Sequence, residues 1–256
     1  MGFAAFPRLN PSYKSAAMLQ QLDWLLLFRA PYGERVIDAI LTTLELSLTS
    51  WVFALAIGVV AGLLREAPLR SVRLAATAFV EVFRNVPLLV QLFFIYFVLP
   101  RALPLPLRPI LFQFGWEFVS AVLTLSLYTG AKIAEHVRSG LNAVGVGIRQ
   151  AAMSTGLTWT AAQRHVVAPL VLRMIVPGLT SEFVTVFKSS SLAMTIGVVE
   201  TSYLTQQLGL QTFHWVEAST VGTVVYLLCA WSVVGFMSLV ERWTYVPGLL
   251  RRGAAP

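Results

Sequence analysis

The chain has 256 residues, of which 57% are hydrophobic and only 12% charged, with a net charge of +7. A soluble domain carries about twice that charged fraction, so the composition excludes an ordinary soluble enzyme or binding domain and points to a membrane protein. The basic surplus lies between apolar runs, where orientation in a bilayer accounts for it and nucleic acid does not.

In chain order, residues 1–20 are polar and irregular, with Pro7 and Pro11. They lack the compact apolar core and cleavage site of a signal peptide, so the first span is expected to act as its own insertion signal. The stretch LQQLDWLLLF at 19–28 is apolar but short and contains Asp23, which suits an interfacial helix better than a span. Residues 29–33 read as a turn.

Five apolar spans follow, at about 39–64, 74–99, 117–137, 169–199 and 216–240. In the first, Gly58 and Gly62 form a small-xxx-small pair: either a close helix contact in lipid or two tolerated glycines. The second contains Glu81, Arg84 and Pro87, and the proline is expected to kink it. Four prolines between 100 and 109 predict a rigid loop on the far side. The third carries Lys132 and Glu135 at i, i+3, on one face. The fourth holds Pro177, Glu182 and Lys188 and is expected to break near 188–191, at a serine run that includes Ser190. Residues 200–215 read as a polar connection.

Between the third and fourth spans lies GIRQAAMSTGLTWTAAQRHVVA, 147–168, the longest polar interruption in the second half. It predicts a short helix outside the bilayer. Arginines set its side. Arg65, Arg70 and Arg73, then Arg138, Arg149 and Arg164, then Arg242, Arg251 and Arg252 all fall on one face, nine in all. The other face has Arg101 and Arg108, plus Arg8, Lys14, Arg29 and Arg35 in the N-terminal segment. The bias places 147–168 and the C-terminus in the cytoplasm and the N-terminus outside.

No phosphate-binding loop, zinc spacing or nucleophile constellation is present in the sequence. His136, His165 and His214 are scattered and Cys229 is alone in an apolar run, so no metal, cofactor or catalytic residue is expected.

The 147–168 segment resembles the cytoplasmic signature of ABC importer permeases, E-A-A-x3-G-x9-I-x-L-P. Gln150-Ala151-Ala152, Gly156, Val166, Ala168 and Pro169 occupy its positions, with Gln150, Val166 and Ala168 departing from the pattern. Three further stretches are similar to polar amino acid permeases. They are EVFRNVPLLVQ from Glu81, Ala134-Glu135-His136-Val137-Arg138, and Phe187-Lys188-Ser189-Ser190-Ser191-Leu192 with Ile196-Gly197. Together they cover about 35–247. Phe83-Arg84-Asn85 before Pro87, and Lys132 three residues before Glu135, resemble the glutamate/aspartate importer permeases in particular. Leu239 to Arg242 with Pro247-Gly248 adds to that likeness.

The resemblance implies an all-α membrane protein, a type I importer permease of five transmembrane helices with a cytoplasmic coupling helix. It divides the chain into an N-terminal periplasmic or interfacial segment (1–34), a permease domain (35–241) and a cytoplasmic tail (242–256). It implies a non-catalytic subunit of the bacterial inner membrane that pairs with a second, paralogous permease, two ATP-binding subunits and a periplasmic amino acid binding protein. The substrate expected is glutamate or aspartate; glutamine, histidine or a basic amino acid, or a stand-alone secondary transporter, are the alternatives. The expected ATPase-coupling residues are Gln150, Ala151, Ala152, Gly156, Arg164 and Pro169.

Ionisable residues inside spans cost about 2.5–3.5 kcal/mol each and usually face a bundle interior or a polar pathway. Lys132, Arg84, Glu81, Glu135, Glu182, Lys188 and Ser190 are the candidate path residues. The competing reading is local pairing, Arg84 with Glu81 and Lys132 with Glu135, or snorkelling to the interface.

Overall fold

A computed structural model describes residues 22–25, 29 and 31–244, apart from 105 and 107. The described residues form helices without strands. The interfacial helix expected at 19–28 is absent where it can be checked: 22–25 are coil and turn, and the rest of that stretch lies outside the described residues.

Helix α1, Tyr32–Leu64, has 33 residues. At 1.5 Å per residue it is about 50 Å long, more than the hydrocarbon requires. Its buried positions recur at helical spacing, from Ala39 through Thr43, Ser47, Ser50, Ala54 and Gly58 to Gly62. Ala39 and Thr43 face the later helix that begins at Thr201, whereas Ser50, Gly58 and Gly62 face α6, Trp116–Ala143. A Cβ at Gly58 would lie 2.5 Å from Cβ of Ile133, and one at Gly62 would lie 2.7 Å from Cβ of Val137. Both glycines are therefore needed for this close approach. Lipid tails supply no hydrophobic drive between helices, so such contact surfaces hold the bundle together by packing.

The second span is not one kinked helix. It is α2, Arg70–Asn85, and α3, Leu88–Phe97, bent by 106°. Pro87 pushes Val86 out of the helical region, to ψ 133, and ends α2 there. The side chain of Gln91, buried beside the bend, donates to the carbonyls of Phe83 and Val86, both at 2.8 Å. These are among the carbonyls that the end of α2 leaves without helical partners. The bend is thus closed by a side chain that substitutes for the missing turn.

The proline-rich loop contains two one-turn helices, α4 (Leu99–Ala102) and α5 (Arg108–Phe112). Pro100 and Pro109 each take the second helical position, where a missing N–H costs nothing. The indole N–H of Trp116, at the start of α6, donates to the carbonyl of Tyr96 at 2.9 Å and ties α3 back to α6.

After α6 come α7 (Gly145–Ser154), a turn through Gly156, and α8 (Trp159–Ala162). Thr158 caps α8 by accepting from the N–H of Ala161. The helix then widens to a π turn over Gln163–Val167 and continues as α9, Ala168–Ser190. Pro169 cannot donate to the carbonyl of His165, and the π winding accommodates that gap. Beyond Ser190 the chain tightens into a 3₁₀ turn, Ser191–Ile196. Trp51 of α1 stacks on Phe183 of α9, with ring centroids 4.3 Å apart.

Residues 200–215, expected as a polar connection, contain α10, Thr201–Thr212. The Glu200 carboxylate caps it, accepting from the N–H groups of Ser202 and Tyr203, both at 2.9 Å. Tyr226 of α11, Trp215–Thr244, donates to the same carboxylate. Burial pushes the Glu200 carboxyl up, and these hydrogen bonds pull it back only in part. Thr43 and Thr201, with hydroxyls 2.8 Å apart, join α10 to α1.

Three helical runs are long and apolar enough to cross a membrane: Tyr32–Leu64, Trp159–Ile196 and Trp215–Thr244. The bent pair α2–α3 makes a fourth if taken together, against the five read from sequence. Helix α6 has the length but also carries Ser120, Thr124, Ser126, Thr129, Lys132 and Glu135. It packs against α1, α2, α3 and α9, and a helix enclosed by protein need not be apolar all round.

Candidate functional site

Two charged centres face different ways from adjacent turns of α6. In the first, Lys132 Nζ lies 3.4 Å from Glu182 Oε2 on α9, and His136 Nε2 lies 3.6 Å from Glu182 Oε1. The ammonium of Lys132 also sits over the Tyr128 ring, 4.7 Å from its centre. Gly178, one turn before Glu182, lets α9 approach, because a Cβ there would come within 2.6 Å of the His136 ring. The Lys132–Glu135 pair suggested by spacing does not form. The helix–helix contact brings in Glu182, 50 positions away, instead.

In the second centre, three guanidinium groups converge on Glu135. Arg65, at the end of α1, ion-pairs with its Oε2. Arg138 Nη2 lies 2.9 Å from Oε1, and Arg84 Nη1 lies 3.5 Å from Oε2. Arg84 therefore reaches across to α6 rather than to Glu81. The exposed Glu81 instead accepts from Asn85 at 2.9 Å. Arg65 is nearly buried, and the Nε atoms of Arg65 and Arg138 are buried with no hydrogen-bond partner. One carboxylate against three guanidiniums leaves a local surplus of two positive charges.

The remaining path candidates stand apart. Lys188 is exposed. The hydroxyl of Ser190 is buried and donates to the carbonyl of Phe187 at 2.7 Å. Sequence reasoning missed Arg65, which read as a loop residue, and His136, which read as isolated. The A-E-x-x-R spacing already held Glu135 with Arg138, but nothing in the sequence linked Arg65 to them.

The expected coupling residues follow the C-terminal end of α6. Gln150 and Ala151 are exposed on α7, while Ala152 turns inward and is buried. Gly156 follows in a turn with φ +88, where nothing would touch a Cβ. Arg164 is exposed on the π turn and Pro169 is half-buried at the start of α9. Among the described residues no three His, Cys, Asp or Glu side chains group as a metal site.

Residues 54–245 match the family model described as binding-protein-dependent transport system inner membrane component. The chain belongs to this family. Over 242 residues the permease is 35% identical to the glutamate/aspartate import permease protein GltJ of Escherichia coli (strain K12), covering 89% of this chain and 97% of that one. It is 31% identical over 223 residues to the glutamine transport system permease protein GlnP of the same strain, covering 87% and 97%. A crystal structure of an amino acid ABC transporter with histidines overlays it with a TM-score of 0.73 at 27% identity, covering 88% of this chain and all of that one. The protein is thus an all-α permease with the architecture of type I ABC importers, a transport subunit for amino acids. Membership implies ATP-binding subunits and a periplasmic binding protein as partners, and the bacterial inner membrane as its place.

Proposed function

We propose that the permease passes an acidic amino acid, glutamate or aspartate, inward across the membrane. The observation that carries this reading is the convergence of Arg65, Arg84 and Arg138 on the single carboxylate of Glu135. A surplus of fixed positive charge between low-dielectric helices attracts anions. The likeness to GltJ supports the same substrate class. Arg84, half exposed, and Lys132, shared with Glu182, are the cations that a passing side-chain carboxylate meets. Glu81, Glu135, Glu182, Lys188 and Ser190 complete the path residues.

The permease domain, 35–241, crosses the membrane five times with its N-terminus in the periplasm and its C-terminus in the cytoplasm. It encloses the path together with a paralogous permease. Helix α7 and the turn after it dock on an ATP-binding subunit, with Gln150, Ala151, Ala152, Gly156, Arg164 and Pro169 forming or supporting that surface. Small residues let the partner approach closely. ATP binding draws the two ATP-binding subunits together and rocks the helices between inward-open and outward-open states, each of which must bind its partners differently. The permease supplies path and coupling, and the chemistry belongs to the ATP-binding subunits.

The test is uptake by the assembled transporter carrying Lys132→Ala or Arg84→Ala, with glutamate compared against a neutral amino acid. A loss confined to glutamate is expected, and equal losses for both substrates would remove the selectivity claim. The 31% identity to GlnP favours a second reading, glutamine. Glutamine uptake that exceeds glutamate uptake in the wild-type transporter would establish it.

A further inference from the structure

Beside α7 lies a cavity of about 590 Å³ between the turn after α1 and the α7–α8 segment. Arg149, Trp159, Gln163 and Asn142 line it, with Leu63 and Glu66 at the α1 side. The Nε of Arg149 is buried and has no hydrogen-bond partner, and no ion pair forms between Arg149 and Glu66. One guanidinium, two carboxamides and the Trp159 ring thus share the cavity with the Glu66 carboxylate, which does not pair with the guanidinium. An unpaired Arg fork suits the oxygens of a phosphate, which it binds through two parallel hydrogen bonds.

The neighbours of the cavity indicate the source of that phosphate. Leu63 and Trp159 are exposed to 52% and 60%. An exposed leucine at the end of a spanning helix faces acyl chains, and an amphipathic tryptophan favours the level of the headgroups. Basic pockets at the cytoplasmic ends of spanning helices take anionic headgroups.

We infer that this cavity binds the phosphate of an anionic phospholipid, held by Arg149 and flanked by Trp159, Gln163 and Asn142. The lipid would brace the coupling helix from the membrane side. This inference rests on the cytoplasmic placement of α7 proposed above.

Native mass spectrometry of the full-length protein in neutral detergent, offered equal amounts of phosphatidylglycerol and phosphatidylcholine, provides the test. The wild type is expected to retain phosphatidylglycerol selectively. Arg149→Gln should lower that retention by at least about fivefold, since it removes the basic contact. Arg149→Lys keeps the charge without the fork and should fall between them. Gln163→Leu, on another wall of the cavity, should weaken retention in the same direction, so misfolding of one variant does not decide the matter. Arg242→Gln, on α11 outside the cavity, should retain lipid as the wild type does.

Equal retention by wild type and Arg149→Gln would overturn the site, as would equal loss in Arg242→Gln, which would assign the lipid to overall charge. If Arg149→Gln abolished ATP-binding-subunit association and left lipid retention intact, the side chain would belong to the protein partner and the inference would fail. Inorganic phosphate that displaces the lipid at millimolar concentration would assign the cavity to free phosphate; no displacement assigns it to the headgroup. A single cysteine at Gly147, in a Cys229→Ala background, reports the orientation separately by labelling from one side of sealed vesicles. Labelling from the periplasmic side with lipid retention intact would overturn the orientation and leave the site standing.

Discussion

Lys132 and Glu182 meet 3.4 Å apart across the contact between α6 and α9. Removing one partner of such a pair leaves an uncompensated charge, and for buried pairs this costs about 3–5 kcal/mol. Here both side chains keep some exposure, 27% and 15%, so a cost of about 2 kcal/mol is expected for Lys132→Met. The double variant Lys132→Met/Glu182→Gln should recover most of that loss, because no charge is stranded. Thermal unfolding in detergent would measure both, and a double variant no more stable than the single one would show that the pair is not coupled.

The contact between α1 and α6 predicts a ranking. Gly58→Ala would place a methyl 2.5 Å from Ile133 Cβ, while Gly130→Ala would meet the Ile57 side chain at 3.0 Å. Overpacking of this kind costs about 1–3 kcal/mol, with Gly58→Ala at the upper end. Ile133→Ala, added to Gly58→Ala, should not rescue it: Cγ2 goes, but the Cβ at 2.5 Å and the Gly130 carbonyl oxygen at 2.8 Å remain against the new methyl, and emptying a fully buried isoleucine site adds its own cost. Comparing unfolding midpoints of the three variants checks the order. If Gly130→Ala proved the more damaging, the geometry of this contact would need revision.

Gln91 predicts a different kind of failure. Its amide occupies the bend between α2 and α3 and donates to the carbonyls of Phe83 in α2 and of Val86 in the bend. Gln91→Leu keeps the volume and removes both donors. Each stranded carbonyl costs about 1–3 kcal/mol, and more where no water can reach it. The variant should insert poorly or open the bend, seen as new protease cleavage or cysteine labelling near 85–90. Gln91→Glu, which accepts but cannot donate in its charged form, should behave like Gln91→Leu rather than like the wild type.

These features were unequally legible in the sequence. Apolar length and small residues announced α1, and the Gly58/Gly62 spacing had raised the contact that α6 makes. Pro87 announced a break, but the size of the bend depends on Gln91, whose hydrogen bonds span positions that no periodicity connects. Helix α10 was missed because polar residues such as Gln206, Gln207 and Gln211 dilute its apolar stripe, and its N-terminal cap is a glutamate rather than Ser, Thr, Asp or Asn. Lys132, Glu135 and Arg84 were recognised as charges needing partners. The partners were misassigned because neighbours at i+3 are visible in a sequence, whereas Glu182 and Arg65 arrive only through tertiary packing.

Gly156 tests the coupling segment. At φ +88 a side chain costs about 1–2 kcal/mol even though nothing would touch its Cβ. Gly156→Asp adds a charge to the same turn, at the surface proposed to receive the ATP-binding subunit. Uptake and subunit association should both fall, while the isolated permease loses only the conformational cost. Gly156→Asn, which tolerates this backbone, separates the two effects by restoring fold stability without restoring the bare surface. Association unchanged in Gly156→Asp would remove the docking role.

Glu200 gives the permease a pH dependence of defined sign. Burial holds its carboxyl above the ordinary carboxylate value in the folded protein. A group with a raised folded-state value contributes stability that is complete below its unfolded value. That contribution is lost as pH rises through the folded one. Glu200→Gln cannot ionise, and its carbonyl oxygen can still accept from the start of α10. The wild type should therefore lose stability relative to Glu200→Gln as pH climbs from the unfolded glutamate value of about 4.3 through the raised value. Paired thermal scans across that window measure the difference directly. A difference that does not change with pH would mean that the three donors around Glu200, from Ser202, Tyr203 and Tyr226, fully offset its burial.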